Sequence, residues 1–202
     1  MNAAAVLTAC YLIGAIPFGL FVGKLQGIDI RKHGSGNIGA SNVLRLLGPG
    51  PAAVVMVGDT LKGFLPVLMC KAYFDNPWIV VLGGLLSILG HSVSIFLKLR
   101  GGKGVATSLG VVIGLDPLIG AIAFLLWVAL VAIFRYISIA SIIASASVSI
   151  MMWAHAQPSQ YIAFAVVAAA FILIKHKSNI GRLRAGTEPK IGQKAEIQEK
   201  DE

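Results

Sequence analysis

Long apolar stretches alternate with short polar stretches along nearly the whole chain. Most of the apolar stretches have the length that a helix needs to cross the hydrocarbon core of a bilayer. The predicted spans cover about residues 3–22, 52–70, 78–97, 105–115, 117–134, 137–153 and 161–174. The stretch from 105 to 134 is long for one span, but Asp116-Pro117 divides it into a short piece and a longer piece.

The polar stretches after the first span, after the third span and after the last span are rich in lysine and arginine. Because such residues favour the cytosolic side of a membrane, an even number of crossings must separate Lys103 from Lys175. Counting residues 105–115 as a short crossing gives seven spans, whereas merging segments gives five. We predict an all-α polytopic membrane protein with seven transmembrane helices, the N-terminus outside and the C-terminus cytosolic, with five helices as the alternative.

Composition agrees with this class of protein. Of the 202 residues, 56% are hydrophobic and 13% are charged, whereas about a quarter of the residues in soluble domains are charged. The net charge of +8 comes from cations at the ends of apolar runs, which does not indicate nucleic-acid binding. Cys10 and Cys70 lie in predicted spans, so no disulfide framework is expected. We predict one transmembrane domain over residues 1–191 and a polar, acidic, disordered tail over 192–202.

The polar stretch after the first span, HGSGNIGASNVLR (residues 33–45), is rich in glycine and in side chains that form hydrogen bonds. Glycine lets backbone N–H groups approach a ligand closely. Several such N–H groups beside an arginine suit a phosphate, which accepts many hydrogen bonds at once. The alternative is an ordinary basic loop at the membrane surface.

Two further stretches combine glycine and cations: HSVSIFLKLRGGKGVATS (residues 91–108) and HKSNIGRLRAGTEPK (residues 176–190). The first is not a nucleotide P-loop, because Leu97 and Gly104 stand where that motif needs glycine and serine or threonine. Its backbone donors and lysine at the start of an apolar helix do suit an anion. For the two stretches the alternatives are a membrane-surface lysine loop and simple contact with anionic lipid headgroups.

Asp59 and Lys62 lie three residues apart inside the second predicted span. Ionisable groups at that depth are unfavourable and usually face the interior of a helix bundle. Either the two residues form a local ion pair with no further role, or, as we prefer, they support the cytosolic half of a polar pocket. The histidines do not form close metal-ligand pairs, so no metal site is expected.

In combination, the segments SGNIGASNVLR, H-S-x(8)-GGKGVAT and H-x-x-NIGRLRAGTE resemble the three signature segments of the bacterial membrane glycerol-3-phosphate acyltransferases that use acyl phosphate. The resemblance extends from the first span to about Pro189. It implies transfer of an acyl group to the 1-hydroxyl of glycerol 3-phosphate, giving lysophosphatidic acid and phosphate, the first acylation of phospholipid synthesis. It also implies a cytosol-facing site in the bacterial inner membrane, contact with membrane lipids and no cofactor. A contact with the enzyme that supplies acyl phosphate is compatible with it.

The resemblance also implies roles for individual residues. It places Ser35, Asn37 and Arg45 at the acyl phosphate, the stretch from Gly101 to Lys103 at glycerol 3-phosphate, and Glu188 beside a cation or the tail segment. The implied catalytic residues are Ser35, Asn37, Arg45, Lys103, His176 and Asn179. The implied substrate-binding residues are Gly36, Gly39, Asn42, His91, Gly101, Gly102, Thr107, Ser141, Arg182 and Glu188.

Acyl phosphate is already activated, so the enzyme mainly has to supply proximity and electrostatic stabilisation. We expect direct attack by the glycerol hydroxyl, since no Ser–His–Asp order that would activate Ser35 is visible in the sequence. A membrane transporter for an organic phosphate is the main alternative function, because several spans and buried ionisable groups would suit it. A purely structural membrane subunit would leave the three glycine-rich stretches unexplained.

Overall fold

The computed structural model describes residues 2–193, and most of them are helical. The tail predicted over 192–202 therefore lies mostly outside the described residues. The helices are α1 (Ala3–Ala15), α2 (Phe18–Leu25), α3 (Ala40–Leu47), α4 (Pro49–Tyr73), α5 (Pro77–Ser92), α6 (Val105–Leu115), α7 (Pro117–Phe134), α8 (Ile137–Ala154), α9 (Ser159–Lys175) and α10 (Lys177–Arg184). A short 3-10 helix covers Ile95–Leu97.

Within residues 2–193, four helical stretches are long and apolar enough to cross a membrane: Ala3–Leu25, Pro49–Tyr73, Pro117–Phe134 and Ile137–Ala154. Helices α9 and α10, bent by 55° at their junction, make a fifth if they are taken as one span. Helices α5 and α6 are apolar but shorter, with 16 and 11 residues. The protein thus has an all-helical integral membrane fold. All seven predicted apolar segments are helical, while the number that cross the bilayer stays a prediction.

The helix boundaries follow from local chemistry. Helices α4, α5 and α7 each begin with proline in the first turn, where the missing N–H would have no partner in any case. Asp116 accepts a hydrogen bond from the N–H of Ile119 at 3.0 Å and so caps α7. The predicted division between residues 115 and 117 is confirmed. The first span is interrupted at Pro17, between α1 and α2, since proline removes a helical hydrogen bond.

The third span is shorter than predicted. Helix α5 ends at Ser92 rather than near Leu97, because the chain then turns back on itself. The N–H of Ser94 donates to the carbonyl of Arg100 at 3.3 Å, and both Lys98 and Leu99 have positive φ angles. This turn brings the chain back to the end of α5, with the glycines of the second polar stretch directly behind it.

Glycine allows α4 and α6 to touch through their backbones. A Cβ atom at Gly63 would lie 2.0 Å from the carbonyl oxygen of Thr107, and one at Gly110 would lie 1.9 Å from that of Thr60. Helices in a membrane gain little from the hydrophobic effect when they associate, so close packing of small residues is what holds them together. The α4–α6 pair is therefore a rigid part of the fold.

The first glycine-rich stretch is not irregular throughout, since its second half belongs to the helix α3. A small apolar cluster holds this stretch against α2 and α4, with Ile30, Val43 and Val55 completely buried in it. The cluster fixes the stretch to the bundle from beneath. The polar groups of the glycine-rich stretch face the space between α3 and the ends of α6 and α9.

We expect Gly63→Ala to destabilise the protein, because the added methyl group would overlap the carbonyl of Thr107. Overpacking of this kind costs about 1–3 kcal/mol. The midpoint of thermal unfolding of the purified protein in detergent should fall. Gly50→Ala in the same helix is the matched control, since a Cβ atom there meets nothing within 4 Å. Equal midpoints for the two variants would contradict the close contact between α4 and α6.

Candidate functional site

A cavity of about 360 Å³ lies between the first glycine-rich stretch and helices α4 and α6–α9. One end is polar and the other is apolar. The polar end is lined by Ser35, Asn37, Arg45, Lys103, His176, Asn179 and Glu188. The apolar end is lined by Val112, Ala123, Phe124, Trp127, Val148 and Phe164. Such a cavity suits a molecule with an anionic head and a hydrocarbon chain.

The buried side chain of Asn42 gives the first glycine-rich stretch its shape. Its amide nitrogen donates to the carbonyl of Ile30 at 3.0 Å, and its amide oxygen accepts from the N–H of Ser35 at 2.9 Å. Gly36 adopts a φ of 68°, which favours glycine. Asn37 in turn accepts from the N–H of Gly39 at 2.9 Å. The loop is therefore preorganised by its own amide side chains.

Glu188 is the centre of the polar end. One of its carboxylate oxygens accepts hydrogen bonds from Ser138 at 2.8 Å and from Asn179 at 2.7 Å, and the other accepts from Arg182 at 2.8 Å. Burial alone would raise the pKa of Glu188, but these donors and the charge of Arg182 lower that pKa below its ordinary value. Glu188 is therefore ionised and ties α8, α10 and the chain after α10 together.

Lys103 is joined to this centre through Asn179, whose amide oxygen accepts a hydrogen bond from the ammonium group. Burial lowers the pKa of Lys103 to about 8. The charge of Glu188 raises the pKa of Lys103, and Arg182 and Arg45 lower it further. A bound anion would favour the charged form of this lysine. Lys103 is thus a cation of the polar end that could bind an anion such as phosphate.

The two glycines before Lys103 pack directly on His91. A Cβ atom at Gly101 would lie 2.1 Å from the His91 carbonyl oxygen, and one at Gly102 would lie 2.1 Å from its Nε2 atom. The N–H of Gly102 also donates to the His91 carbonyl at 3.1 Å. These two positions require glycine because of close approach to His91.

An open cleft adjoins the polar end of the cavity. It is lined by Asn37, Gly101, Gly102, Lys103, Ile174, Lys175, Lys177 and Ser178. Asn37 and Lys103 line both spaces. Two anionic groups could therefore lie side by side, with these two side chains between them.

A hydrogen bond of His176 defines which of its two ring nitrogens carries the proton. Its Nδ1 atom lies 2.8 Å from the carbonyl oxygen of Ile172. Since a carbonyl oxygen only accepts hydrogen bonds, Nδ1 carries the proton, and Nε2 of the neutral ring is free to accept one. His176 lines the polar end of the cavity, so it could take up a proton there.

Most of the residues singled out from the sequence come together at this site. The cavity is lined by Ser35, Asn37, Gly39, Asn42, Arg45, His91, Lys103, Ser141, His176, Asn179 and Glu188, and the cleft adds Gly101 and Gly102. Gly36, Thr107 and Arg182 line neither space. Gly36 forms a turn, Thr107 is fully buried against Gly63, and Arg182 contacts Glu188.

Neither Ser138 nor the apolar wall of the cavity was predicted from the sequence. Ser138 begins a stripe of small residues on α8 that also includes Ser141, Ala144 and Ser145, all facing the cavity. Their spacing of three or four residues was the available signal. Ser141 accepts a hydrogen bond from the indole N–H of Trp127 at 3.1 Å. It therefore also orients an aromatic side chain of the cavity wall.

The fold and the site define a multi-pass membrane protein with a cationic, amphipathic cavity. A family model described as glycerol-3-phosphate acyltransferase matches residues 4–186. The chain belongs to this family of acyltransferases, and the resemblance of the three signature segments is confirmed. Membership favours the enzyme over the organic-phosphate transporter, and it places the protein in phospholipid biosynthesis.

Individual relatives match this chain over nearly their whole length. The glycerol-3-phosphate acyltransferase of Trichormus variabilis is 44% identical, with 94% of this chain and 92% of the relative covered. That of Desulforamulus reducens is 46% identical, with 94% and 95% covered. The crystal structure of PlsY, an integral membrane glycerol 3-phosphate acyltransferase, in its glycerol 3-phosphate form has a TM-score of 0.90 and 40% identity, covering 94% of this chain and 96% of that chain. Its lysophosphatidic acid form has a TM-score of 0.88 and 39% identity, covering 95% and 96%.

The pKa of Lys103, about 8, predicts how acyltransferase activity depends on pH. If the charged ammonium binds phosphate, kcat/KM should fall as the pH rises through about 8. The phosphate group itself titrates near pH 6, so the two effects are separable. The measurement is kcat/KM for glycerol 3-phosphate between pH 6 and pH 10.

Two variants test the assignment of this titration. Glu188→Gln removes a charge that raises the pKa of Lys103, so the fall should begin at lower pH. Lys103→Arg keeps its charge throughout this range, so in that variant the fall near pH 8 should disappear. A fall that persists unchanged in Lys103→Arg would mean that another group titrates.

Proposed function

We propose that this acyltransferase transfers a fatty acyl group from acyl phosphate to the 1-hydroxyl of glycerol 3-phosphate. The products are lysophosphatidic acid and inorganic phosphate. The single observation that carries this proposal is a cavity whose apolar end continues into a cationic end. Acyl phosphate has the same two parts, a hydrocarbon chain and a phosphate. The glycerol 3-phosphate and lysophosphatidic acid forms of the related PlsY structure lend support.

The two spaces suggest where each substrate binds. The hydrocarbon chain of the donor would lie between Phe124, Trp127 and Phe164, with its phosphate near Arg45. Glycerol 3-phosphate would occupy the open cleft between the GGK glycines and the lysines of the α9–α10 junction. Lys103 lines both spaces, so one ammonium group would neutralise part of both phosphates.

The reaction that we propose is direct attack. The glycerol oxygen forms a bond to the carbonyl carbon while the bond from that carbon to the phosphate oxygen breaks. The hydroxyl proton goes to the departing phosphate or to Nε2 of His176. Arg45 and Lys103 stabilise the charge that develops on the phosphate. Binding the two substrates side by side supplies the proximity.

A covalent route through Ser35 receives no support from its surroundings. Its backbone N–H donates to Asn42, but among residues 2–193 no basic side chain forms a hydrogen bond with its hydroxyl group. A serine nucleophile needs such a base. We therefore assign Ser35 to binding and orienting the acyl phosphate rather than to a covalent intermediate.

We further propose seven crossings, with the N-terminus outside and the site facing the cytosol of a bacterial inner membrane. The polar end of the cavity belongs to the segments that carry most of the lysine and arginine, as expected for the cytosolic side. Exposed aromatic side chains at the opposite turns, Tyr73, Trp78 and Trp153, suit the outer interface. A site that faces the cytosol would also be open to the enzyme that supplies acyl phosphate.

The proposed reaction predicts equal amounts of two products. Purified protein in lipid, given glycerol 3-phosphate and palmitoyl phosphate, should release one phosphate for each lysophosphatidic acid formed. Arg45→Ala and Lys103→Ala should each reduce kcat/KM by about 10²-fold or more, because each removes a charged contact to phosphate. The measurement follows both products in one reaction.

Arg184→Ala is the matched control, since Arg184 is a nearby exposed cation on α10 that lines neither space. Its activity should equal that of the unaltered protein. Turnover with palmitoyl-CoA but not with palmitoyl phosphate would overturn the choice of donor. Near-normal turnover by Ser35→Ala would overturn the role given to Ser35.

The seven-span arrangement predicts which positions can be labelled from outside the cell. In a variant lacking Cys10 and Cys70, a cysteine at Leu118 should react with a membrane-impermeant maleimide added to intact spheroplasts. One at Arg184 should react only after the membrane is permeabilised. Asp75→Cys is the positive control for the outer side. Labelling at position 75 without labelling at 118 would favour five spans.

A further inference from the structure

Three buried polar side chains beneath the GGK glycines have no part in the proposed chemistry. Asp59 and Lys62 belong to α4, and His91 belongs to α5. The ammonium of Lys62 lies 2.8 Å from Oδ1 of Asp59, and their side chains are 2% and 4% exposed. Nδ1 of His91 lies 3.7 Å from the same oxygen. The three groups form one cluster at the wall of the cavity.

Packing of the helices does not explain why this cluster is charged. Helices α4 and α6 already meet through the backbone contacts of Gly63 and Gly110. A buried ion pair is often no more stabilising than apolar side chains of the same volume, since both charges lose their hydration. Ionisable residues inside a membrane protein more often mark a functional region. A role beyond holding helices together is therefore indicated.

The contacts of the cluster connect two irregular parts of the chain. Lys62 donates a hydrogen bond at 2.8 Å to the carbonyl of Ile16, next to the break at Pro17 in the first span. At the other end, the ring and carbonyl of His91 contact the backbone of Gly101 and Gly102. The cluster therefore runs from the break in the first span to the segment that carries Lys103.

We propose that Asp59, Lys62 and His91 form a positioning unit that fixes the Gly101–Gly102 backbone and so the place of Lys103. Lys62 holds Asp59, the Asp59 carboxylate faces Nδ1 of the His91 ring at 3.7 Å without a hydrogen bond, and the ring packs against the two glycines. None of the three contacts the Lys103 ammonium, so they are positioning residues. The inference rests on the proposed function only in taking the cleft beside these glycines as the glycerol 3-phosphate site.

The first variant is Asp59→Asn, which leaves the Lys62 charge without its partner. We expect a lower midpoint of thermal unfolding and a KM for glycerol 3-phosphate raised about tenfold, because small displacements of a binding group weaken its interactions strongly. The KM for acyl phosphate should rise by a smaller factor, because Arg45 also lies at the phosphate of that substrate. The dissociation constant of glycerol 3-phosphate, measured by calorimetry without any acyl donor, should rise by the same factor as its KM.

The double variant Asp59→Asn with Lys62→Met separates positioning from stability. It removes both charges, so the unfolding midpoint should return toward that of the unaltered protein. A positioning unit would still be broken, so the dissociation constant should stay raised. His91→Gln, which keeps Asp59 and Lys62, should weaken binding in the same way.

Asp116→Asn is the matched control, because Asp116 is also buried and contacts a histidine, His155, at 2.9 Å, but at the opposite turn. This variant should lower the unfolding midpoint and leave the affinity for glycerol 3-phosphate unchanged. Recovery of that affinity in the double variant would overturn the proposal and make the pair purely structural. Since this binding is measured without a donor, its result is independent of whether acyl phosphate is the true donor.

Discussion

Cations gathered at the edge of a bilayer repel one another strongly, because little water is present there to screen their charges. In this protein one carboxylate, that of Glu188, balances much of this positive charge. Glu188 accepts hydrogen bonds from Ser138, Asn179 and Arg182. Asn179 in turn accepts a hydrogen bond from the ammonium group of Lys103. The start of α8, the short helix α10 and the chain beyond it are therefore held together around the cations of the polar end.

A second carboxylate lies on the other side of the site. Asp59 is paired with Lys62 and lines the same cavity as Glu188. The helices around Asp59 and those around the apolar end of the cavity are packed differently. Around Asp59, glycine contacts such as that between Gly110 and Thr60 make the helices rigid. Around the apolar end, small residues on α8 face bulky aromatic side chains on α7 and α9. The rigid half suits charged groups that must be placed accurately, and the other half suits a flexible hydrocarbon chain.

The sequence was sufficient for features that depend on local composition. All seven apolar segments are helices, and the three glycine-rich stretches converge, because hydropathy and clustered charge are readable residue by residue. It was insufficient where both faces of a helix are apolar, since nothing then separates lipid-facing from cavity-facing positions. Trp127 and Phe164 were missed for that reason. The early end of α5 at Ser92 depends on a hydrogen-bonded turn whose two left-handed residues carry no glycine signature.

The choice of lysine at position 103 follows from the same constraint of charge. An arginine stays protonated whether or not a ligand is present, so each arginine at the site adds a permanent charge that Glu188 must balance. Burial brings the pKa of Lys103 to about 8, so the energy required to remove its proton near neutral pH is small. As the pH approaches 8 the empty site can lose this proton and relieve part of its repulsion, whereas a bound anion would favour the charged form. Between the cavity and the cleft, a lysine is the cation whose charge can respond to an anion bound in either space.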